Sequence, residues 1–264
     1  MSAIRRGGSL SNTDSVTVRR VTIPLTAQTG DVGLIAMAYY QPTTGAAALT
    51  LAGWTLIDES VLGDYRLVAF RRTLTGPDPG SDVEITFATA QRAPMVLEVW
   101  GGLSGVPSVN STTTSPAATT HPLPAGGTGT ILPFGLFGHR SGSPPSTMGV
   151  PSGWTLGNFG SVPASFSAAT GITYGPAETG PTGALNLTTA AAVTSLTMTI
   201  GWPVTPEVNN LRLHEAHIRA FVAPVKNLRV HSASVSALIT PYMIRRGGKW
   251  LRIRSYVRKS GAWK

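Results

Sequence analysis

The chain has 264 residues with 21 Lys/Arg against 12 Asp/Glu, a net charge of +9, and no cysteine. Without cysteine there are no disulfide staples and no thiolate metal sites, so a fold of this length has to be held by packing or by assembly with neighbours. Only 12% of residues are charged, Gly (30) and Pro (20) are abundant, and the β-branched and aromatic residues fall in short runs between turn residues, a composition that excludes a helical bundle and indicates an all-β protein.

Residues 1–15 are expected as an N-terminal arm. Met1–Gly8 lacks the continuous apolar stretch of a signal peptide, and the longest apolar run, Leu34–Tyr40, is far too short to span a bilayer. Synthesis in a cytoplasm without membrane insertion is the expectation. Val16–Leu25 alternates in places and reads as a first strand ended by the turn Thr29-Gly30-Asp31, and Leu34–Tyr40 is apolar on both faces, as a central strand is. Gly53-Trp54-Thr55-Leu56 opens a third strand. Tyr65–Arg72 is a fourth, followed by the turn Gly76–Gly80; Val83–Phe87 alternates cleanly, and Met95–Trp100 closes the set.

The order then repeats. Gly53-Trp54-Thr55-Leu56 reappears one hundred residues on as Gly153-Trp154-Thr155-Leu156, Ile131–Phe137 parallels Leu34–Tyr40, Ile172–Tyr174 parallels part of Tyr65–Phe70, and Leu196–Trp202 parallels Met95–Trp100. Shared order as well as shared motif indicates an internal duplication. The expected architecture is a jelly-roll-like β-sandwich over residues 16–222, with halves at about 16–105 and 120–222. One sandwich is favoured over two domains because the linking stretch, Val106–Pro124, is short for a boundary and could hold an edge strand.

The positive charge is confined to the end of the chain. Lys226–Lys264 holds ten Lys/Arg and no Asp or Glu, whereas residues 1–225 carry eleven basic and twelve acidic side chains. Such asymmetry marks an electrostatic contact. Within residues 223–264, Ile244-Arg245-Arg246-Gly247-Gly248-Lys249-Trp250 recurs thirteen residues later as Val257-Arg258-Lys259-Ser260-Gly261-Ala262-Trp263, each reading as a strand, a glycine turn and a return beginning at Trp. Ile4-Arg5-Arg6-Gly7-Gly8 echoes the first unit. Arg245, Arg246, Lys249, Trp250, Arg252, Arg254, Arg258, Lys259 and Trp263 are the candidate docking residues. Interleaved cations and aromatics also suit a nucleic-acid strand, but Trp250–Arg254 alternates like a strand with one apolar face, which favours a small β unit meeting protein.

Catalytic signatures are sparse. His214-Glu215-Ala216-His217 spaces its histidines three apart rather than the four of a zincin helix, in a strand-like context that sends them to opposite faces, so neither metal nor cofactor is expected. Gly102-Leu103-Ser104-Gly105 falls short of a nucleophile elbow, and His121, His139 and His231 stand in no triad spacing. Asp78–Asp82 reads as a turn rather than a calcium loop. Glu98 interrupts an apolar strand beside Trp100, as a sugar-binding or catalytic carboxylate does, but the alternation favours an outward-facing residue on a half-exposed strand. Trp54 and Trp154 can be stacking platforms or, given their equivalent positions, core anchors.

The two C-terminal Gly-turned, Trp-ended units resemble those of minor tail and tail-tip proteins of siphophages infecting actinobacteria, and the body resembles the β-sandwich modules of such proteins, in which a Gly-Asp turn (Gly30-Asp31) precedes an apolar strand and Gly-Trp-Thr (53–55) follows. The match covers about 25 residues of the tail and is looser in the body; Ser260 stands where a glycine is expected, and no coiled-coil or collagen-like segment is present. The resemblance implies a non-enzymatic virion structural protein, docked through its C-terminal segment onto other virion proteins or copies of itself and presenting a sandwich to a host-surface glycan. A capsid decoration or head-fibre protein, and a β-sandwich carbohydrate-active enzyme, are the alternatives.

Overall fold

A computed structural model describes residues 3–12, 15–41, 49–141, 145–162, 167–179 and 185–204, with short strands at 243–246, 249–252, 258–259 and 262–263. The chain divides into a body, Met1–Glu207, and a C-terminal unit, Val208–Lys264. All regular structure among the described residues is β-strand. The body holds β1 (Ile4–Ser11), β2 (Val16–Thr22), β3 (Val32–Tyr40), β4 (Thr55–Leu62), β5 (Tyr65–Thr73), β6 (Asp82–Gln91), β7 (Met95–Gly101), β8 (Ser108–Leu123), β9 (Thr130–Ser141), β10 (Met148–Gly149), β11 (Thr155–Val162), β12 (Ser167–Tyr174), β13 (Glu178–Thr179) and β14 (Leu185–Pro203).

The duplication is visible in the pairing. Strands β1-β7-β3-β5-β4 form one antiparallel sheet, with β2 and β6 paired as a ribbon; in the second half β9, β12 and β11 follow β14 in the same order as β3, β5 and β4 follow β7. The long strand β14 corresponds to β6 and β7 run together, and β8 to β1 and β2. Registers agree residue by residue: Val32 faces Trp100 as Leu132 faces Trp202, and Val21 faces Val83 as Leu123 faces Leu185. Both Gly-Trp-Thr-Leu motifs enter their strands identically. Gly53 and Gly153 have φ of +74° and +78°, a region that suits glycine, and the next amide closes a turn, Trp54 N–H to Leu51 O and Trp154 N–H to Pro151 O, each at 3.0 Å. A bulge then follows at Leu56/Asp58 and at Leu156/Asn158, which re-aims each edge strand by one residue.

The two sheets stack face to face as a β-sandwich. Val32, Leu34, Ala36, Leu67, Ala69, Val96 and Trp100 of one face meet Leu132, Phe134, Leu136, Ile172, Leu196, Met198, Ile200 and Trp202 of the other. Each large side chain removed from water in this seam contributes about 1.5–3 kcal/mol. The stacking is reciprocal: β1 lies by β11 and β8 by β4, β3 by β12 and β9 by β5, with β3 and β9 meeting at the centre. This is the arrangement of an isologous dimer joined into one chain. At the centre the equivalent residues Ala38 and Gly138 meet; a Cβ on Gly138 would lie 3.1 Å from that of Ala38.

The other face of the first sheet is covered as well. Ile35, Met37, Val68, Phe70, Leu97 and Val99 pack under the ribbon through Val21, Ile23, Val83, Ile85 and Phe87, and Trp54 joins this core. Strands β3 and β7 are therefore buried along nearly their whole length. Phe137, Leu123, Leu187 and Val193 form the corresponding outer core of the second half, with Trp154 packed against it. The tryptophans of the repeated motif are core anchors.

Two expectations change. Residues before Val16 are not merely an arm, because Ile4–Ser11 pairs with Met95–Gly101, and its arginines find carboxylates at Glu98 and Asp31. The linking stretch is mostly β8, so the repeat begins at Ile4 and Ser108 rather than at 16 and 120.

In the C-terminal unit, β15 (Met243–Arg246) pairs with β16 (Lys249–Arg252), and β17 (Arg258–Lys259) with β18 (Ala262–Trp263). Arg245 faces Trp250 and Arg258 faces Trp263. The two units share one register, thirteen residues apart.

Candidate functional site

Glu98 and Trp100 lie in the seam between the sheets, not on a surface. Position 98 faces away from the ribbon, and with both sides of β7 covered its carboxylate is 0% exposed. It is met by Arg5, whose Nε and Nη2 donate to its two oxygens at 2.6 and 3.0 Å, and by Asn158 Nδ2 at 2.7 Å across the seam. Gly8 and Gly157 make room: a Cβ on either would strike the Asn158 amide or the Glu98 carboxylate. Burial pushes the Glu98 carboxyl up while Arg5 and Asn158 pull it down, the net direction being upward; the hydrogen bond from Arg5 to this carboxylate raises the Arg5 guanidinium in turn. Trp100 is edge-on to Tyr174 at 4.7 Å and to Phe134 at 5.4 Å. Neither residue offers a face to a sugar. Glu98 is a latch between repeats, and the expectation of an outward-facing side chain fails because β7 is a central strand.

A second polar group sits in the outer core of the second half. Thr189 donates its hydroxyl to Ala191 O at 2.8 Å, which leaves it to accept from His121 Nε2 at 2.9 Å, and Ser195 Oγ lies 2.8 Å from Nδ1. Burial keeps the ring neutral, and with Nε2 carrying the proton Nδ1 accepts from Ser195. Burial lowers the His121 pKa to about 4, helped by nearby His139. Ser195 and His121 form a nucleophile–base pair by distance, but at 1% and 0% exposure no substrate reaches them. Spacing gave no hint of the pair, since β8 and β14 bring it together across 74 residues.

One groove of about 400 Å³ opens at the end of the first sheet, lined by Gly30, Val32, Thr55, Arg71, Arg72, Thr73, Leu103, Ser104, Gly105 and Trp202. Arg72 is tied to Asp78 at 2.7 Å, and Asp78 is held in place by the Thr75 hydroxyl. Arg71 donates from Nη1 to Gly105 O at 3.0 Å, and among the described residues it has no carboxylate partner. The repeat supplies a reference for this place. Arg71 faces Thr55 as Tyr174 faces Thr155, so Arg71 holds by Trp202 the position that Tyr174 holds by Trp100. In one half an aromatic ring fills the space, and in the other a guanidinium borders a groove. In the sequence Arg71 is one of an arginine doublet in a strand, with nothing to set it apart; only the register to Thr55 reveals its counterpart.

Of the docking candidates, Arg245, Arg246, Lys249, Trp250 and Arg252 lie on β15 and β16, and Arg258, Lys259 and Trp263 on β17 and β18. Arg254 lies outside the described residues, as do His214, Glu215 and His217. Among the described residues no three His, Cys, Asp or Glu side chains gather as metal ligands.

The fold defines a duplicated all-β sandwich with a basic C-terminal unit. No protein-family model, curated protein or solved structure matches the chain.

Proposed function

We propose that this is a bacteriophage virion structural protein of the minor tail or tail-tip kind, docked through its C-terminal segment and presenting the duplicated sandwich toward a host-surface glycan. The observation that carries the reading is the pair of C-terminal hairpins in one register, set in a segment with ten basic and no acidic residues. Each hairpin is a two-stranded sheet among the described residues, a form that suits strand addition, and the charge of the segment favours an acidic protein surface. The near-neutral body is rigidified by two-sided burial of β3 and β7 and needs no disulfide, which suits a displayed module. Docking is assigned to Arg245, Arg246, Lys249, Trp250, Arg252, Arg254, Arg258, Lys259 and Trp263, with other virion proteins or copies of the chain as partners.

A chain ending at Val225 tests this. The expected result is a folded body that no longer enters particles, and normal incorporation overturns docking by the tail. Salt-sensitive DNA binding by the full chain that disappears on truncation would move the basic segment to nucleic acid.

A further inference from the structure

We propose that the groove beside Arg71 is a binding site for a small polyhydroxylated anion, a sugar carrying a carboxylate or phosphate group. The proposal rests on the recognition half of the reading above and places it at a site distinct from Glu98 and Trp100.

The duplication supplies an internal reference for the groove. Two halves with matched registers bury equivalent tryptophans, Trp100 and Trp202, on either side of Phe134. Around Trp100 the space is closed by Tyr174, with Glu98 on the same strand paired to Arg5 of the adjacent β1. Around Trp202 the position of Tyr174 is taken by Arg71, and the space is left as a groove of about 400 Å³. That volume falls within the range of about 300–1,000 Å³ usual for small-ligand sites.

The lining specifies the chemistry. Arg71 is committed to one carbonyl and keeps further N–H donors for an anion, in the planar geometry that favours carboxylate and phosphate. Arg72 is neutralised by Asp78, so the groove carries one uncompensated positive charge. Thr55, Thr73 and Ser104 are exposed hydroxyl-bearing residues on its walls, while Val32 and Leu103 supply an apolar floor for ring C–H groups. Trp202 lines the groove at its inner end while its ring stays buried between the sheets.

Binding to the full-length protein should be followed by NMR titration with glucuronate, glucose 6-phosphate, glucose and inorganic phosphate, each at millimolar concentration. The two anionic sugars are expected to bind, glucose at least about tenfold more weakly, and Arg71→Ala to lose about tenfold or more in affinity, as removal of a charge-assisted contact does. Arg71→Tyr, which restores the residue of the closed half, should abolish binding with thermal stability retained. Arg71→Lys keeps the charge and should bind with intermediate strength, which keeps the test valid if a larger change disturbs folding. Failure of every probe to bind, or retention of affinity in Arg71→Ala, overturns the site, and equal affinity for inorganic phosphate overturns the sugar class. Incorporation of Arg71→Tyr into particles reports on docking alone, so a failed groove and a failed virion role are separable.

Discussion

Replacing Arg5 with alanine strands a carboxylate that no solvent reaches, whereas replacing Glu98 leaves behind a guanidinium whose side chain is 34% exposed. The two halves of one ion pair should therefore cost different amounts. Leaving a buried charge unpaired costs about 3–5 kcal/mol, the figure expected for Arg5→Ala at neutral pH. In Glu98→Ala the guanidinium can hydrate and Asn158 Nδ2 keeps Leu97 O at 3.2 Å, so the loss falls to about 2–3 kcal/mol for the charge-assisted bonds and the small cavity. The pH dependence separates the variants further. With Arg5 gone, only the hydrogen bond from Asn158 offsets the burial that already pushes the Glu98 carboxyl up; a folded-state pKa above the unfolded one means the folded protein binds the proton more tightly, so the penalty is full above the folded pKa and fades as pH falls through it toward the unfolded carboxyl value of about 4.3. Urea unfolding of the full chain followed by tryptophan fluorescence, at pH 7 and pH 5, measures both effects, and contributions from other groups cancel against wild type. The reasoning is refuted if Glu98→Ala is as costly as Arg5→Ala at pH 7, or if the Arg5→Ala penalty is unchanged at pH 5. A Glu98→Ala protein with wild-type stability and lost glycan binding would instead return the carboxylate to a ligand site.

His121 supplies an acid-sensitive element of opposite sign: neutral in the folded state with its pKa lowered to about 4, it contributes stability at neutral pH that is lost as pH falls from about 6.5 to about 4. The loss amounts to about 3 kcal/mol, and His121→Gln should remove most of that pH-dependent drop in denaturant unfolding. Gly138→Val should cost about 1–3 kcal/mol by overpacking against Ala38 and Leu67 at the centre of the seam, seen as a lower thermal midpoint. Gly153→Ala meets open space, so only its positive φ of +78° opposes it, and about 1 kcal/mol is the expected loss; a loss as large as that of Gly138→Val would contradict the assignment of strain over packing there. Trp202→Ala should be the most damaging of these changes, about 3–5 kcal/mol, because its ring is fully buried between the sheets.

Much of the architecture was legible in the residues. Glycine and proline punctuation placed most strand ends, and the paired Gly-Trp-Thr-Leu motifs located the duplication because a turn with positive φ and a buried aromatic each demand a particular residue type. The C-terminal hairpins were readable for the same local reason, since a strand, a glycine-containing connection and a return need only their own thirteen residues.

What escaped the sequence depends on contacts between distant strands. Period-two alternation tells which residues share a face but not whether that face meets water or another sheet, so Glu98 read as outward when the second sheet in fact covers it. The Ser195–His121 pair and the place of Arg71 opposite Thr55 likewise exist only once registers are set. The pentapeptide Ile-Arg-Arg-Gly-Gly makes the point within one chain. At Ile4–Gly8 it runs through a strand whose arginines reach Glu98 and Asp31, while at 244–246 it lies on β15, whose pairing partner is the nearby β16. Local preference is the same in both places, because five residues carry the same backbone freedom wherever they occur. The outcome differs because β1 has β7 to pair with and two buried carboxylates to neutralise, and those partners lie about 25 and 93 residues away.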